Sequence, residues 1–385
     1  MRDVYLVGVG QTRYGKLSST LREAAAEASL AALDRAGLEP TALDGAFLSN
    51  AFGLVERQGH LGPLVMTALG VPEVPCTSIE AACASGSSAF REAFVNVAGG
   101  FADTMLAVGV EKVSQLDTVT ATSYFSYGSD YVYEGACGAS FPGLYATMAT
   151  AHMKKHGTTE EQLAAVAVKA HENAASNPKA HFQKKITLDD VMKSMVVASP
   201  LKLYDCCPFS DGAAAAILTT KEKAQALGAP LIRVAGSGRA GAIASLPDRP
   251  DLTTVPSTRV AADQALKMAK KTVADIDFFE VHDCFTIAEV VATEDLGLFK
   301  RGEGARAAAD GATRVDGKRP VNPSGGLKAK GHPVGATGLG QINEVFDQLT
   351  GKAGGRQVAN AKTALTHNVG ATGGSCAVHM FERSN

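Results

Sequence analysis

The sequence predicts an α/β protein made of two similar halves, each with a five-stranded sheet, and three observations carry that prediction. Two sets of five apolar, strand-like runs recur along the chain with helical stretches between several of them, the alternation an α/β fold requires. A segment of the first half aligns with one of the second without a gap. Between the halves, residues 119–197 are richer in Tyr, His and Lys and have no place in either sheet.

"VYLVGVG" opens the first set, and a helix from about Thr20 to Ala36 follows it, with a capping box in Thr20 and Glu23 and a stop at Gly37. "GAFLSNA", "CTSIEAA", "TMLAVGV" and "AAAAILT" complete the set. The second set reads "LIRVAGS", "FFEVHDC", "RPVNPSG", "TALTHNV" and "CAVHMF". Setting "LAALDRAGLEPTALDGAFLSNAF" (30–52) above "DQALKMAKKTVADIDFFEVHDCF" (263–285) pairs Ala32 with Ala265, Leu33 with Leu266, Asp44 with Asp277 and Phe52 with Phe285. Both segments read helix, turn, strand, and the repeat predicts that the loops at Ser49–Phe52 and His282–Phe285 open on the same side. The middle stretch contains the helical "TTEEQLAAVAVKAHENAAS" and the basic "KAHFQKK", and is read as an inserted loop domain. The division is then 1–118 for the N-terminal half, 119–197 for the insertion, 198–226 for the strand closing the first half, and 227–385 for the C-terminal half.

With 385 residues, 45% of them hydrophobic and 20% charged, the chain is a globular protein too long for one ordinary core. A net charge of −2 supplies no basic field for nucleic acid or an anionic membrane. The start, "MRDVYLVGVG", is a first strand and not a targeting segment, which points to the cytoplasm. Seven cysteines, odd in number and without C-x-x-C pairs, argue against a disulfide framework and a structural zinc site. "GSGRAG" (236–241) spells a dinucleotide fingerprint, but the "AIASLPDRPDLTTVP" after it cannot form the phosphate-facing helix.

Four places could carry chemistry. In "SIEAACASGSSAF" (78–90), Cys83 heads a run of small residues at a helix start, where backbone amides favour thiolate; the same pattern also fits a small buried cysteine in tight helix packing. "NPSGGLKAKGHPVGATG" (322–338) holds His332 in a glycine-rich loop, with a helix starting near Thr337, a setting suited to proton transfer. "VHDCF" (281–285) puts His282 and Cys284 on one face at a strand end. "THNVGATGG" (366–374) supplies Asn368 and Gly370 at another strand end, where exposed N–H groups can bind an oxyanion.

Together these stretches resemble the thiolase family: "AACASG" its nucleophile motif, "GHPVGATG" its G-H-P-x-G-x-T-G signature, and "SDGAAAAIL" (210–218) the strand that closes its first half. The resemblance covers essentially the whole chain, and the His332 signature is its specific part. The sequence departs from ordinary thiolases at two places, with His282, Asp283, Cys284 and Phe285 where they have N-E-A-F, and Asn368, Val369 and Gly370 where they have C-x-G. Both departures are similar to the sterol-carrier-protein type, whose second catalytic cysteine sits in an H-D-C-F motif.

The resemblance implies the thiolase fold, layered α-β-α-β-α with the loop domain inserted. It implies an acyl-CoA:acyl-CoA C-acyltransferase that cleaves a 3-oxoacyl-CoA with free coenzyme A or runs the reverse Claisen condensation. Cys83 would be the nucleophile, His332 its base, Cys284 the acid/base at the α-carbon and His282 an oxyanion donor, with the N–H groups of Cys83 and Gly370 forming a second oxyanion site. Lys184, Lys185, Lys202 and Asn368 are the candidate substrate contacts, and Cys206, Cys207 and Cys376 are structural. Coenzyme A enters as substrate, with no permanently bound cofactor and no metal. The implied partners are a second copy of the chain and a small OB-fold, zinc-containing protein; a benzoylsuccinyl-CoA thiolase subunit is one form such a system takes. With Asn385 directly after the last strand, no fused carrier domain is expected. Ketosynthase-like, retro-aldol and non-catalytic scaffold readings are the alternatives; the ketosynthase has no use for Cys284, retro-aldol relatives tend to lack the nucleophile, and a scaffold would leave three motifs idle.

Overall fold

The computed structural model describes residues 1–384, so Asn385 lies outside the described residues. The first half runs β1 (Val4–Gln11), α1 (Leu21–Ala36), β2 (Gly45–Ser49), β3 (Cys76–Ile79), α2 (Ser85–Gly99) and β4 (Thr104–Glu111). The inserted stretch contributes α3 (Phe141–His156) and α4 (Glu160–Ala174), after which β5 (Gly212–Thr220) closes the half. The second half runs β6 (Ile232–Gly241), α5 (Pro256–Ala269), β7 (Phe278–Glu280), α6 (Thr286–Asp295), α7 (Thr337–Leu349), β8 (Thr363–Gly370) and β9 (Ser375–Arg383). α1 begins at the predicted capping box, with the Glu23 amide donating to Thr20 Oγ1 and the Thr20 amide to Glu23, and it ends on left-handed Gly37.

The strands join in the order β3-β2-β4-β5-β1-β6-β9-β8-β7. Within the sheet the halves join where β1 pairs with β6, through Tyr5 opposite Arg233 and Leu6 opposite Ile232. Reading outward from that seam, each half repeats the other, with β1, β5, β4 and β2 matched by β6, β9, β8 and β7. Where the first half adds β3, the predicted strand "RPVNPSG" is reduced to one bridge between Val321 and Phe279. Pro320 and Pro323 flank Val321, and neither has an N–H to donate to a ladder.

The repeat extends to single atoms. Asp44 accepts from the amides of Asp103 and Thr104 at 2.8 and 2.9 Å, and Asp277 from those of Lys362 and Thr363 at the same two distances. A side chain at Gly8 or Gly10 would strike the carbonyls of Ala32 and Ala28 at 2.2 and 2.1 Å; at Gly236 or Gly238 it would strike those of Ala265 and Ala261 at 2.0 and 1.9 Å. The two Gly-x-Gly pairs thus let α1 and α5 lie directly on their strands, and the glycines of "GSGRAG" serve packing in β6.

Helices α2 and α7 fill the middle layer, where Phe90, Phe94, Leu339, Ile342 and Phe346 form one buried cluster with Leu6, Leu218 and Phe381 of the strands. α1 covers the outer face of the first half and α5 that of the second. The result is the α-β-α-β-α layering of a thiolase fold. The inserted stretch packs on the second half through buried polar contacts: Lys169 pairs with Glu289, Asn173 donates to the carbonyl of Asn322, and His152 contacts Glu294. Among the described residues no helix is long and apolar enough to cross a membrane.

Candidate active site

Cys83 sits in the turn between β3 and α2, and that turn is strained. Ala82, just before it, has φ +48°, a left-handed conformation that costs a residue with a Cβ roughly 1–2 kcal/mol. Three hydrogen bonds hold the bend: Ala82 N–H to Glu80 Oε1 at 2.6 Å, Ala81 N–H to Ser85 Oγ at 2.8 Å, and Ser85 Oγ to the Ala82 carbonyl at 2.6 Å. The small residues after Cys83 have a steric reason. A Cβ on Gly86 would sit 2.9 Å from the Gly335 carbonyl, and one on Gly338 would sit 2.5 Å from the Ser87 amide, so the starts of α2 and α7 touch backbone to backbone.

That contact carries His332 to the cysteine. The His332 loop is clamped to the first half by Glu111, which accepts from the amides of Ala51, Phe52 and Gly335, and by Ser49 Oγ, which donates to the Gly335 carbonyl at 2.7 Å. His332 Nδ1 lies 2.6 Å from Thr337 Oγ1, and that hydroxyl donates its one hydrogen to the Pro333 carbonyl at 2.9 Å. The hydroxyl therefore accepts from Nδ1–H, which leaves Nε2 of His332 a bare lone pair.

His282 carries the opposite tautomer. The Asn368 amide nitrogen donates to its Nδ1 at 3.0 Å, so the ring proton is on Nε2, which is buried and has no partner among the described residues. Behind it, the His282 N–H donates to Nδ1 of His367, whose Nε2 meets Thr258 Oγ1 at 2.9 Å. One ligand-type atom each of Cys83, His282 and His332 falls within 4.8 Å of the others, and the two imidazoles stand edge to face at 5.2 Å. A thiol, a base and a hydrogen-bond donor thus converge where one reacting carbonyl could sit.

Cys284 is buried two residues past His282, in one packed cluster with Phe285 and with Tyr145 of α3. Cys207 comes alongside, its N–H donating to the Cys284 carbonyl at 2.9 Å. Ala371, at φ +53°, accepts from the Tyr145 hydroxyl at 2.9 Å.

Desolvation sets the protonation states. Burial pushes the Cys83 thiol up to about 12, against the helix-start expectation of a favoured thiolate; the Ala371 amide offsets only part of it and Glu111 adds to the rise. Burial also lowers His332 to about 3 and His282 well below its ordinary value. The substrate-free resting pair is therefore thiol and neutral imidazole, not an ion pair. Alkylation of Cys83 by iodoacetamide is expected to accelerate about tenfold per pH unit from about pH 6 to about pH 9. A rate already flat at the lower end, the signature of a thiolate–imidazolium pair, would contradict this.

The substrate contacts expected from sequence fare unevenly. Lys184 and Lys185 are exposed on the inserted stretch, Lys185 pairing with Glu172 at 3.5 Å. Lys202 is 8% exposed and its ammonium is paired with Glu160, so its charge is already matched by a carboxylate. Asn368 is wholly buried behind His282, which corrects its placement among the substrate contacts: it acts on the ring. Gly370 ends β8, with room for nothing larger, since a Cβ there would lie 2.5 Å from the Ala81 carbonyl. Cys376 is buried in β9 against Thr258. Sequence reasoning did not single out Tyr145, Glu111, Thr337 or Ala371; the T in G-H-P-x-G-x-T-G was the one signal available for any of them.

Comparison with known proteins identifies the family along nearly the whole chain. A family model described as thiolase, N-terminal domain, matches residues 4–222, and one described as thiolase C-terminal domain-like matches residues 238–383. An acetyl-CoA acetyltransferase of Methanothermobacter thermautotrophicus is 48% identical over 385 residues, covering 100% of both chains. The benzoylsuccinyl-CoA thiolase subunit BbsB of Thauera aromatica is 36% identical over 380 residues, 97% of this chain and 96% of that one. A solved structure described as an Ltp2-ChsH2(DUF35) aldolase matches with a TM-score of 0.86 at 25% identity, covering 99% of this chain and 98% of that chain.

Proposed function

The chain belongs to the thiolase family and is an acyl-CoA:acyl-CoA C-acyltransferase, and from that premise we propose that it interconverts two acetyl-CoA with acetoacetyl-CoA and coenzyme A. The full-length likeness to an acetyl-CoA acetyltransferase supports the short substrate, and the convergence of Cys83, His332 Nε2 and His282 Nε2–H supports the chemistry.

In thiolysis Cys83 gives its proton to His332 Nε2 as sulfur attacks the 3-oxo carbon. The oxyanion is held by His282 Nε2–H and by the newly formed His332 Nε2–H. As the oxyanion collapses the C–C bond breaks, and Cys284 delivers its proton to the departing α-carbon, releasing acetyl-CoA. Coenzyme A then gives its thiol proton to Cys284 and attacks the acyl group. The second oxyanion rests on the N–H groups of Cys83 and Gly370, and Cys83 leaves, recovering its proton from His332. The Cys284 role makes this a sterol-carrier-protein type thiolase, supported by the H-D-C-F stretch and by the absence of a cysteine at Asn368.

Coenzyme A is substrate in this scheme, with its phosphates near the exposed Lys184 and Lys185 and no cofactor held permanently. The assembly is a homodimer or larger, supported by β3, an edge strand with exposed Thr77 and Ser78 that offers an unpaired ladder to a second copy. An OB-fold, zinc-containing partner is supported by the likeness to the aldolase complex. That likeness also favours a retro-aldol reading, against which Cys83 stands.

Assays over acetyl-, medium-chain and aryl 3-oxoacyl-CoA esters, with and without co-purifying proteins, test the substrate, and light scattering on the same sample tests the assembly. Acetoacetyl-CoA is expected to be cleaved fastest by a protein of at least twice the chain mass. Preference for an aryl ester would move the substrate toward that of the BbsB relative.

A further inference from the structure

A thiol and two imidazoles that converge on one point are also a metal-binding set. Among the described residues, Cys83, His282 and His332 are the one group of three His, Cys or acidic side chains that places an atom of each within 4.8 Å of the other two. An ion of the zinc class takes Cys sulfur at about 2.3 Å and His nitrogen at about 2.0–2.1 Å in a tetrahedron, which puts ligand atoms about 3.3–3.6 Å apart. The set must therefore close by at most about 1.5 Å. Cys83 is half-buried while both rings are buried, and rotation of its side chain can supply much of that closure. With no carboxylate among them, the three favour a borderline-soft ion over magnesium or calcium.

A metal-ligating imidazole is normally held in place by its other nitrogen. His332 already meets that condition, with Nδ1–H fixed on Thr337 Oγ1 at 2.6 Å and a lone pair on Nε2. His282 is held at Nδ1 by the Asn368 side chain at 3.0 Å, in the tautomer that keeps a proton on Nε2. Two buried atoms of this pair have no partner among the described residues, His282 Nε2 and Asn368 Oδ1. A half-turn of the Asn368 amide exchanges its oxygen and nitrogen, so that Oδ1 accepts from Nδ1–H and Nε2 is left with a lone pair. One hydrogen bond replaces another. We propose that Cys83, His282 and His332 form a reversible inhibitory site for a zinc-class divalent ion, opened by that half-turn of Asn368. On binding, the Cys83 thiol loses its proton to solvent and the Nε2 proton of His282 is exchanged through solvent for one on Nδ1. Sulfur and both Nε2 atoms each donate an electron pair to the ion, a water completes the tetrahedron, and nothing is oxidised or reduced. The ion takes no part in the reaction; it occupies nucleophile, base and oxyanion donor at once. The inhibition rests on the catalytic roles proposed for these residues, whereas the ion site does not.

Co²⁺, which enters zinc sites and gives a thiolate-to-metal absorption band, is titrated into the purified metal-free chain, and the effect of Zn²⁺ on acetoacetyl-CoA thiolysis is measured alongside. One Co²⁺ per chain is expected, with that band; Zn²⁺ should displace it and should stop thiolysis until a chelator is added. Cys83→Ala should lose the band, and His282→Asn should bind Co²⁺ at least about tenfold more weakly. Asn368→Asp, whose carboxylate can only accept, should hold the metal-binding tautomer and tighten Co²⁺ binding about tenfold. A titration without the band, a band that persists in Cys83→Ala, or unchanged affinity in His282→Asn overturns the proposal, the last two by placing the ion on other side chains. Thiolysis that continues with the ion bound overturns the inhibition. The band and its expected losses in a chain that turns over no acyl-CoA would support the ion site and remove the catalytic reading instead.

Discussion

Cys83→Ala is expected to abolish thiolysis and covalent acyl capture, a loss on the order of 10⁴-fold or more, while leaving the fold intact. The reaction passes through an acyl group on sulfur, and without that sulfur neither half-reaction has a first step. The fold should survive because the strain of the turn resides at Ala82, and the hydrogen bonds that hold it involve Glu80, Ala81, Ala82 and Ser85 but not the thiol. Alanine is also smaller than cysteine, so the contact between Gly86 and the Gly335 carbonyl is undisturbed. Rates with acetoacetyl-CoA and the thermal midpoint, measured on one preparation, check both halves of the expectation. Residual thiolysis near wild-type rates would remove Cys83 from the chemistry.

Cys284→Ala is expected to separate the half-reactions. The α-carbon proton must move whenever the C–C bond forms or breaks, but not when an acyl group passes between Cys83 and coenzyme A. Cys284 also takes the thiol proton of coenzyme A in acyl transfer, but a thiol can ionise to water unaided and an α-carbon cannot, so the variant should keep measurable acetyl exchange while losing condensation and thiolysis by about a hundred- to ten-thousand-fold. Its loss differs in kind from that of Cys83→Ala, which stops all three. Cys207 is the thiol best placed to substitute, since its amide already meets the Cys284 carbonyl at 2.9 Å. Condensation retained in Cys284→Ala but lost in the double variant with Cys207→Ala would transfer the role to Cys207.

Much of the architecture was legible because the repeat is written in residue types with steric consequences. Ala32 and Ala265, paired in the alignment, are the residues whose carbonyls press on Gly8 and Gly236, and the aligned Asp44 and Asp277 hold equivalent pairs of amides. The nucleophile and histidine loops were legible for the same reason, since glycines were needed wherever the two helix starts touch. "RPVNPSG" misled because its apolar character suits a strand while its prolines remove the donors of one.

What stayed hidden depends on partners distant in sequence. Tyr145 meets Ala371 across 226 positions, and nothing local marks either residue. Lys202 reads as a free cation until Glu160 is seen against it, 42 positions away. Asn368 reads as part of an oxyanion-binding strand end, but its buried amide faces His282, and that tautomer-setting role needs both strand ends in place. The raised thiol of Cys83 belongs to the same class: a helix start is visible in sequence, and the desolvation that outweighs it is not.

The central claim, that one acyl group travels on Cys83, is tested most directly by incubating the wild-type protein with acetyl-CoA, quenching in acid, and locating the modification by peptide mass mapping. The account predicts a single acetyl group on the peptide carrying Cys83, discharged when coenzyme A is added before the quench. An acetyl group on Cys207 or Cys284, or none on any peptide while acetoacetyl-CoA is being turned over, would contradict it.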